Sequence, residues 1–170
     1  MEMEDPRPIG VALCGQRLAR LLMRPGLLIG LVLVFSAVIA PESVKYDYSD
    51  DPRILRLRSL FERTKAPAKE YAVEFLLAAD HHDLDWRLLP SIAMVETGAG
   101  KYAHNNNILG WANGRIDFPT EEVGIHRVAE RLANSKLYKN KDLAGILRTY
   151  NTGQQYPRAV RSFMNALGPE

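Results

Sequence analysis

A chain of 170 residues with a formal net charge of +2 has room for one ordinary domain and a small appendage, and its charge is too weak to argue for a nucleic-acid partner. Hydrophobic residues at 46% and charged residues at 25% are the balance of a globular protein. Cys14 is the one cysteine, so an intrachain disulfide is excluded.

The N-terminus differs from the rest. Residues 1–25 carry Arg17, Arg20 and Arg24, and "GLLIGLVLVFSAVIA" follows from Gly26 to Ala40 without a charge. That is the layout of a secretory signal: a basic cytoplasmic n-region over 1–25, an apolar segment over 26–41, and Val38-Ile39-Ala40 as a small-residue cleavage site. Pro41 directly after the site would hinder cleavage. The uncharged run from Pro25 to Pro41 is also at the lower length limit for a spanning helix. A cleaved signal and a retained membrane anchor therefore both stand. In either case everything after Pro41 is expected to cross the membrane into the cell envelope or beyond it.

Residues 42–51 are polar and read as a linker. One domain is expected over 52–168. Asp51-Pro52 is an N-cap followed by proline at the first helical position, and Ile54, Leu57, Leu60 and Phe61 recur at helical spacing. Pro67 opens a second helix with Tyr71, Phe75 and Ala78 on its inner face, ending near His81. Asp85 is a candidate cap for a third helix running to about Glu96. Pro90 lies inside that run, where a regular helix interior would lose ~3 kcal/mol, so a kink or a later start is expected.

Residues 97–119 hold four glycines, Pro119 and the run Asn105-Asn106-Asn107. They are expected to be loop, with or without a short hairpin. Thr120 caps the next helix, with Glu121 and Glu122 in its first turn, where negative charge is favoured. Asp142 caps another, with Leu143, Ile146, Leu147 and Tyr150. After "NTGQQ", Pro157 starts a last helix through Val160, Phe163, Met164 and Leu167. Five or six helices, no convincing strand and no repeat give an all-α class with one long irregular insertion.

The chemistry concentrates in "SIAMVETGAGKYAHNNNILGW", Ser91 to Trp111. Leu89, Ile92, Ala93 and Glu96 are spaced i, i+3, i+4, i+7 and share one helix face. A carboxylate is thus expected on an apolar stripe at a helix C-terminus. Desolvation and the negative end of the helix dipole both favour its protonated form, which is the form a general acid needs. The alternative is a surface carboxylate paired with an arginine. Gly98 and Gly100 let the backbone approach a ligand. Asn105, Asn106 and Asn107 offer amides suited to acetamido and hydroxyl groups, and Trp111 offers a flat face for a sugar ring. The plain readings are a turn cluster and a core aromatic.

"AMVETGAGKYAHNNNILGW" resembles the bacterial peptidoglycan-cleaving enzymes with a lysozyme-like fold, both the glucosaminidase-type hydrolases and the lytic transglycosylases. The family's motif Glu-Ser-Gly appears here as Glu96-Thr97-Gly98, and Leu109 stands where glucosaminidases usually have Phe. "ILRTYNTG", Ile146 to Gly153, resembles the Ala-Tyr-Asn-Ala-Gly segment of the transglycosylases. The resemblance spans roughly Asp51 to Leu167. It implies a lysozyme-like domain (of the α+β kind in the wider family), Glu96 as catalytic acid and Tyr150 as a donor near the acid or acetamido group. It also implies Asn151 as a sugar ligand and Asn106, Asn107 and Trp111 as parts of the groove.

Glycosidases commonly use two carboxyls. Asp117, Glu121, Glu122 and Glu130 are the candidates for a second, of which Glu121 and Glu122 read as plain first-turn charges. A transglycosylase needs one acid only, because the sugar's own 6-hydroxyl closes a 1,6-anhydro ring. The expectation is cleavage of a β-1,4 linkage between amino sugars in peptidoglycan, by transglycosylation. Hydrolysis on the same fold is the alternative, and a non-catalytic glycan-binding envelope module the alternative of another class. The expected partners are glycan strands, and the membrane if the N-terminal segment is retained. No cofactor is expected. His81 and His82 are adjacent and point apart on a helix, and no spacing matches a zinc site, so no metal is expected either. The basic tail of Lys136, Lys139, Lys141, Arg148, Arg158 and Arg161 against Asp142 suits either a solvated face or an anionic polymer.

Overall fold

The Asp51 carboxylate accepts a hydrogen bond from the Arg53 backbone N–H at 2.8 Å, and Pro52 follows it, so helix α1 (Pro52–Arg63) starts where a capped proline helix should. The computed structural model describes residues 47–169. The remaining α-helices are α2 (Ala72–His81), α3 (Leu88–Thr97), α4 (Glu121–Asn134), α5 (Leu143–Tyr150) and α6 (Tyr156–Leu167). Pro67 opens a 3-10 turn, Pro67–Tyr71, ahead of α2. Thr120 and Asp142 cap α4 and α5 through their side chains, at 3.3 Å to Val123 N and 2.7 Å to Gly145 N.

Helix α3 is the axis of the packing. Leu88, Leu89, Ser91, Ile92 and Ala93 are all buried, so the first two turns are covered on every side, as befits a central helix. It packs against α6, while α2 packs against α4 and α1 against α2. Phe61 and Phe75 meet at 5.8 Å between ring centres where α1 crosses α2. On the outer side of α2, His126 Nε2 lies 2.9 Å from Glu74 Oε2 and links α4 to it. The chain end is tied back as well: Arg87 Nη1 donates to Gly168 O at 2.8 Å.

Pro90 does not kink the helix. Helix α3 begins at Leu88, three residues beyond the expected cap, so Pro90 falls in the first turn, where its missing N–H would have had no helical acceptor. Asp85 instead accepts from the Arg87 backbone N–H at 2.9 Å and holds the turn before the helix.

The described residues contain no strand, so the segment after α3 holds no hairpin. It is a run of turns pinned by side chains. Among the described residues no helix is long and apolar enough to cross a membrane; the apolar segment 26–41 and the n-region before it lie outside them.

Candidate functional site

Helix α3 ends at Thr97 because Gly98 takes the left-handed conformation (φ 61°) and passes its N–H back to Ala93 O. Glu96 sits in that last turn, half-buried, one turn beyond the buried Leu89, Ile92 and Ala93. The neighbouring Thr97 is buried. Its hydroxyl donates to Ile108 O at 2.5 Å and accepts from Gly100 N at 3.0 Å. A hydroxyl at this position therefore clamps the start and the end of the loop onto the helix that carries the acid.

The loop then brings its backbone against Glu96. Gly110 has φ +62°, and a Cβ placed on it would lie 2.7 Å from Glu96 Oε2 and 2.9 Å from Glu96 Cβ. Only glycine fits there, both for the backbone angle and for the space. Asn107 fixes the approach. It is 2% exposed, and its Nδ2 donates to Trp111 O (3.0 Å) and Ile116 O (3.2 Å) while its Oδ1 accepts from Trp111 N (2.8 Å). Asn106 Nδ2 donates to Phe118 O at 2.8 Å and to Pro119 O at 3.2 Å.

These bonds revise two expected roles. Asn106 and Asn107 do not line the cleft at Glu96; their amides are spent inside the loop, where side chains supply the carbonyls with the partners a strand ladder would give. Trp111, Tyr150 and Asn151 do line it, together with Gly110, Asn113 and Tyr138, around a volume of 260 Å³. Tyr150, expected as a donor beside the acid, sends its proton elsewhere. Its hydroxyl donates to Leu109 O at 2.6 Å and so anchors the residue before Gly110.

The phenol that acts on Glu96 most directly is Tyr156, at the start of α6. Its hydroxyl is buried and faces the Glu96 carboxylate, whose ionised form it favours. From the sequence the last helix is expected to start at Pro157, with no role for Tyr156 at the site. The available signal was its position one turn after Asn151-Thr152-Gly153, which returns it alongside Tyr150: the two rings stack at 6.1 Å with 5° between planes. Trp111 stands edge-on to Tyr150 at 5.5 Å and tilted to Tyr138 at 5.8 Å. Trp111, Tyr138 and Tyr150 thus wall one side of the cleft, with the Tyr156 ring stacked on Tyr150.

Burial raises the Glu96 pKa above the ordinary carboxylate value. Tyr156 and then Asn151 pull the other way, favouring the ionised form, and burial outweighs them. Burial, and after it the neighbouring Tyr156 and Glu96, pushes the Tyr150 phenol well up. Burial followed by the Glu96 charge does the same to Tyr156. Both phenols are neutral donors at any physiological pH.

Glu96 is the one carboxylate lining this cleft among the described residues. Asp117 is exposed in the loop, and Glu121, Glu122 and Glu130 lie on α4 away from it. Among the described residues no group of three or more His, Cys, Asp or Glu side chains could hold a metal ion. No protein-family model matches the sequence, and no curated protein matches it.

Proposed function

We propose that the helical domain is a lysozyme-like enzyme that cleaves a β-1,4 linkage between amino sugars in peptidoglycan glycan strands, by transglycosylation. The observation that carries this reading is a single carboxyl, held towards its protonated form by burial, at the edge of a cleft walled by aromatic rings. Trp111 supplies an apolar face for a sugar, and Asn151 supplies polar contacts beside the acid.

In this scheme Glu96 gives its proton to the glycosidic oxygen as the C1–O bond breaks. The 6-hydroxyl of the same sugar then bonds to C1, and its proton returns to the Glu96 carboxylate. The products are a 1,6-anhydro sugar and a new 4-hydroxyl, and the acid is restored without a water molecule. One carboxyl suffices for both steps, which agrees with Glu96 being the one carboxyl that lines the cleft among the described residues. Tyr156 and Asn151 stabilise the carboxylate between the steps.

The full-length chain incubated with purified peptidoglycan tests this by mass spectrometry. Anhydro-ended muropeptides from the unmutated chain, and none from Glu96→Gln, are expected. Reducing-ended products would replace transglycosylation by hydrolysis. Absence of any product would leave a glycan-binding module.

A further inference from the structure

We infer that the cleft between α5 and α6 is a second binding site, for an acidic peptide, separated from the sugar cleft by one turn of the chain. This open cleft of 740 Å³ is lined by Arg148 from α5, by Arg158 and Arg161 from α6, and by the turn between the helices. Arg158 and Arg161 are three apart on one helix and fall on the same side. Among the described residues no carboxylate lines the cleft, and none of the three guanidinium groups makes an ion pair or a side-chain hydrogen bond. Arg53 pairs with Asp51 and Asp80, Arg87 with Asp85 and Arg127 with Glu130; what distinguishes Arg148, Arg158 and Arg161 is that they line one cleft together. Three unpaired guanidiniums sharing one concavity form a site for oxyanions, since the planar fork binds carboxylate or phosphate in two-point fashion.

The rest of the lining selects between those anions. Thr152, Gln154, Ser162 and Asn165 present hydroxyl and amide groups among the arginines. A phosphodiester linkage itself offers acceptors alone, which leaves the amide oxygens of Gln154 and Asn165 unmatched. A peptide with acidic side chains or ends supplies carboxylates for the guanidiniums and backbone N–H and C=O groups for the amides and hydroxyls.

The two clefts share one turn. Asn151 lines the sugar cleft, and its Oδ1 accepts from Gly153 N at 2.9 Å, while Thr152 and Gly153 line the arginine cleft. An acidic peptide branching from a sugar bound near Glu96 would reach Arg158 and Arg161 across this turn. That placement rests on the proposed function; binding of an acidic peptide does not.

The test uses the full-length chain and the double variant Arg158→Ala/Arg161→Ala, whose side chains are exposed and make no contact on which the fold depends. Cleavage of peptide-bearing and peptide-stripped glycan is measured side by side. A rise in KM of roughly tenfold or more is expected for the peptide-bearing strand alone, with kcat and the stripped strand unchanged. In parallel, NMR titration follows N-acetylated Ala-Glu-Ala-Glu, its Gln analogue and inorganic tripolyphosphate. Shifts at Arg148, Arg158 and Arg161 are expected with the Glu peptide, falling away with added salt and in the double variant. Equal binding of the Glu peptide by both proteins, or binding of tripolyphosphate without the peptide, overturns the proposal. If the unmutated chain cleaves neither strand, the enzymatic reading fails on its own, and the titration alone decides for or against the peptide site.

Discussion

At Glu96 three effects compete, and their order sets the chemistry. Burial raises the carboxyl pKa, Tyr156 and Asn151 lower it, and burial prevails. A general acid loses activity as pH rises through its pKa, so this shift extends the active range upward. Replacing Tyr156 by Phe removes the larger of the two groups that favour the charged form. The basic limb of the kcat/KM profile is expected to move to higher pH in Tyr156→Phe, measured on a soluble glycan fragment. Glu96→Gln should lower kcat by about 10²-fold or more, since an amide of the same shape carries no transferable proton. Gly110→Ala tests the seat of the acid. Its methyl would meet Glu96 Oε2 at 2.7 Å in a backbone conformation that disfavours alanine, so activity should fall sharply with a loss of about 1–2 kcal/mol in stability.

The segment between α3 and α4 shows how an element without regular structure is kept in place. Thr97 joins its start to its end, Asn107 closes three bonds within it, and Asn106 ties it to Phe118 and Pro119 just before α4. Phe118 N donates to Asn105 O at 3.0 Å and completes the closure. Asn107→Ala would take their side-chain partner from the part-buried Trp111 and Ile116 carbonyls and the Trp111 N–H. A loss of roughly 1–3 kcal/mol in thermal or urea unfolding is expected, together with weaker glycan binding as Gly110 and Trp111 loosen. Asn107→Asp should be no better, because a carboxylate cannot donate to Trp111 O or Ile116 O. Tyr150 belongs to this level too. Its hydroxyl links α5 to Leu109, so α5 and the loop position the cleft together.

For the whole molecule the acid is a stability cost with a definite pH dependence. The folded Glu96 pKa lies above the unfolded value near 4.5, so the folded state binds the proton more tightly. The contribution of this group is fully present below the unfolded pKa and is lost as pH rises from there through the folded pKa. Glu96→Gln carries no such charge. Its stability relative to the parent should therefore grow as pH rises from about 4.5, and the difference should level off above the folded pKa. Thermal melts of the two proteins across pH check the sign. A difference that ran the other way would mean the carboxylate is stabilised in the fold, and would remove the basis for Glu96 as an acid at neutral pH.

Much of the helical framework was legible in the sequence because its signals are local. Asp51-Pro52, Thr120 and Asp142 cap helices through their own side chains, and the apolar spacing of Ile54 to Phe61 or of Val160 to Leu167 is a property of one helix alone. Glu96 was legible for the same reason, as the next position on the buried stripe of α3. Tertiary structure decided what lies opposite each side chain. Asn106 and Asn107 look alike to a ligand and to a carbonyl, and only the folding back of residues 108–119 makes the carbonyls their partners. Tyr150 and Tyr156 are both phenols near a turn, and only the packing of α6 against α3 gives Tyr156 to Glu96 and leaves Tyr150 to Leu109. Periodicity and capping act within a few residues along the chain, whereas the partner of a side chain such as Tyr150 lies 41 positions away.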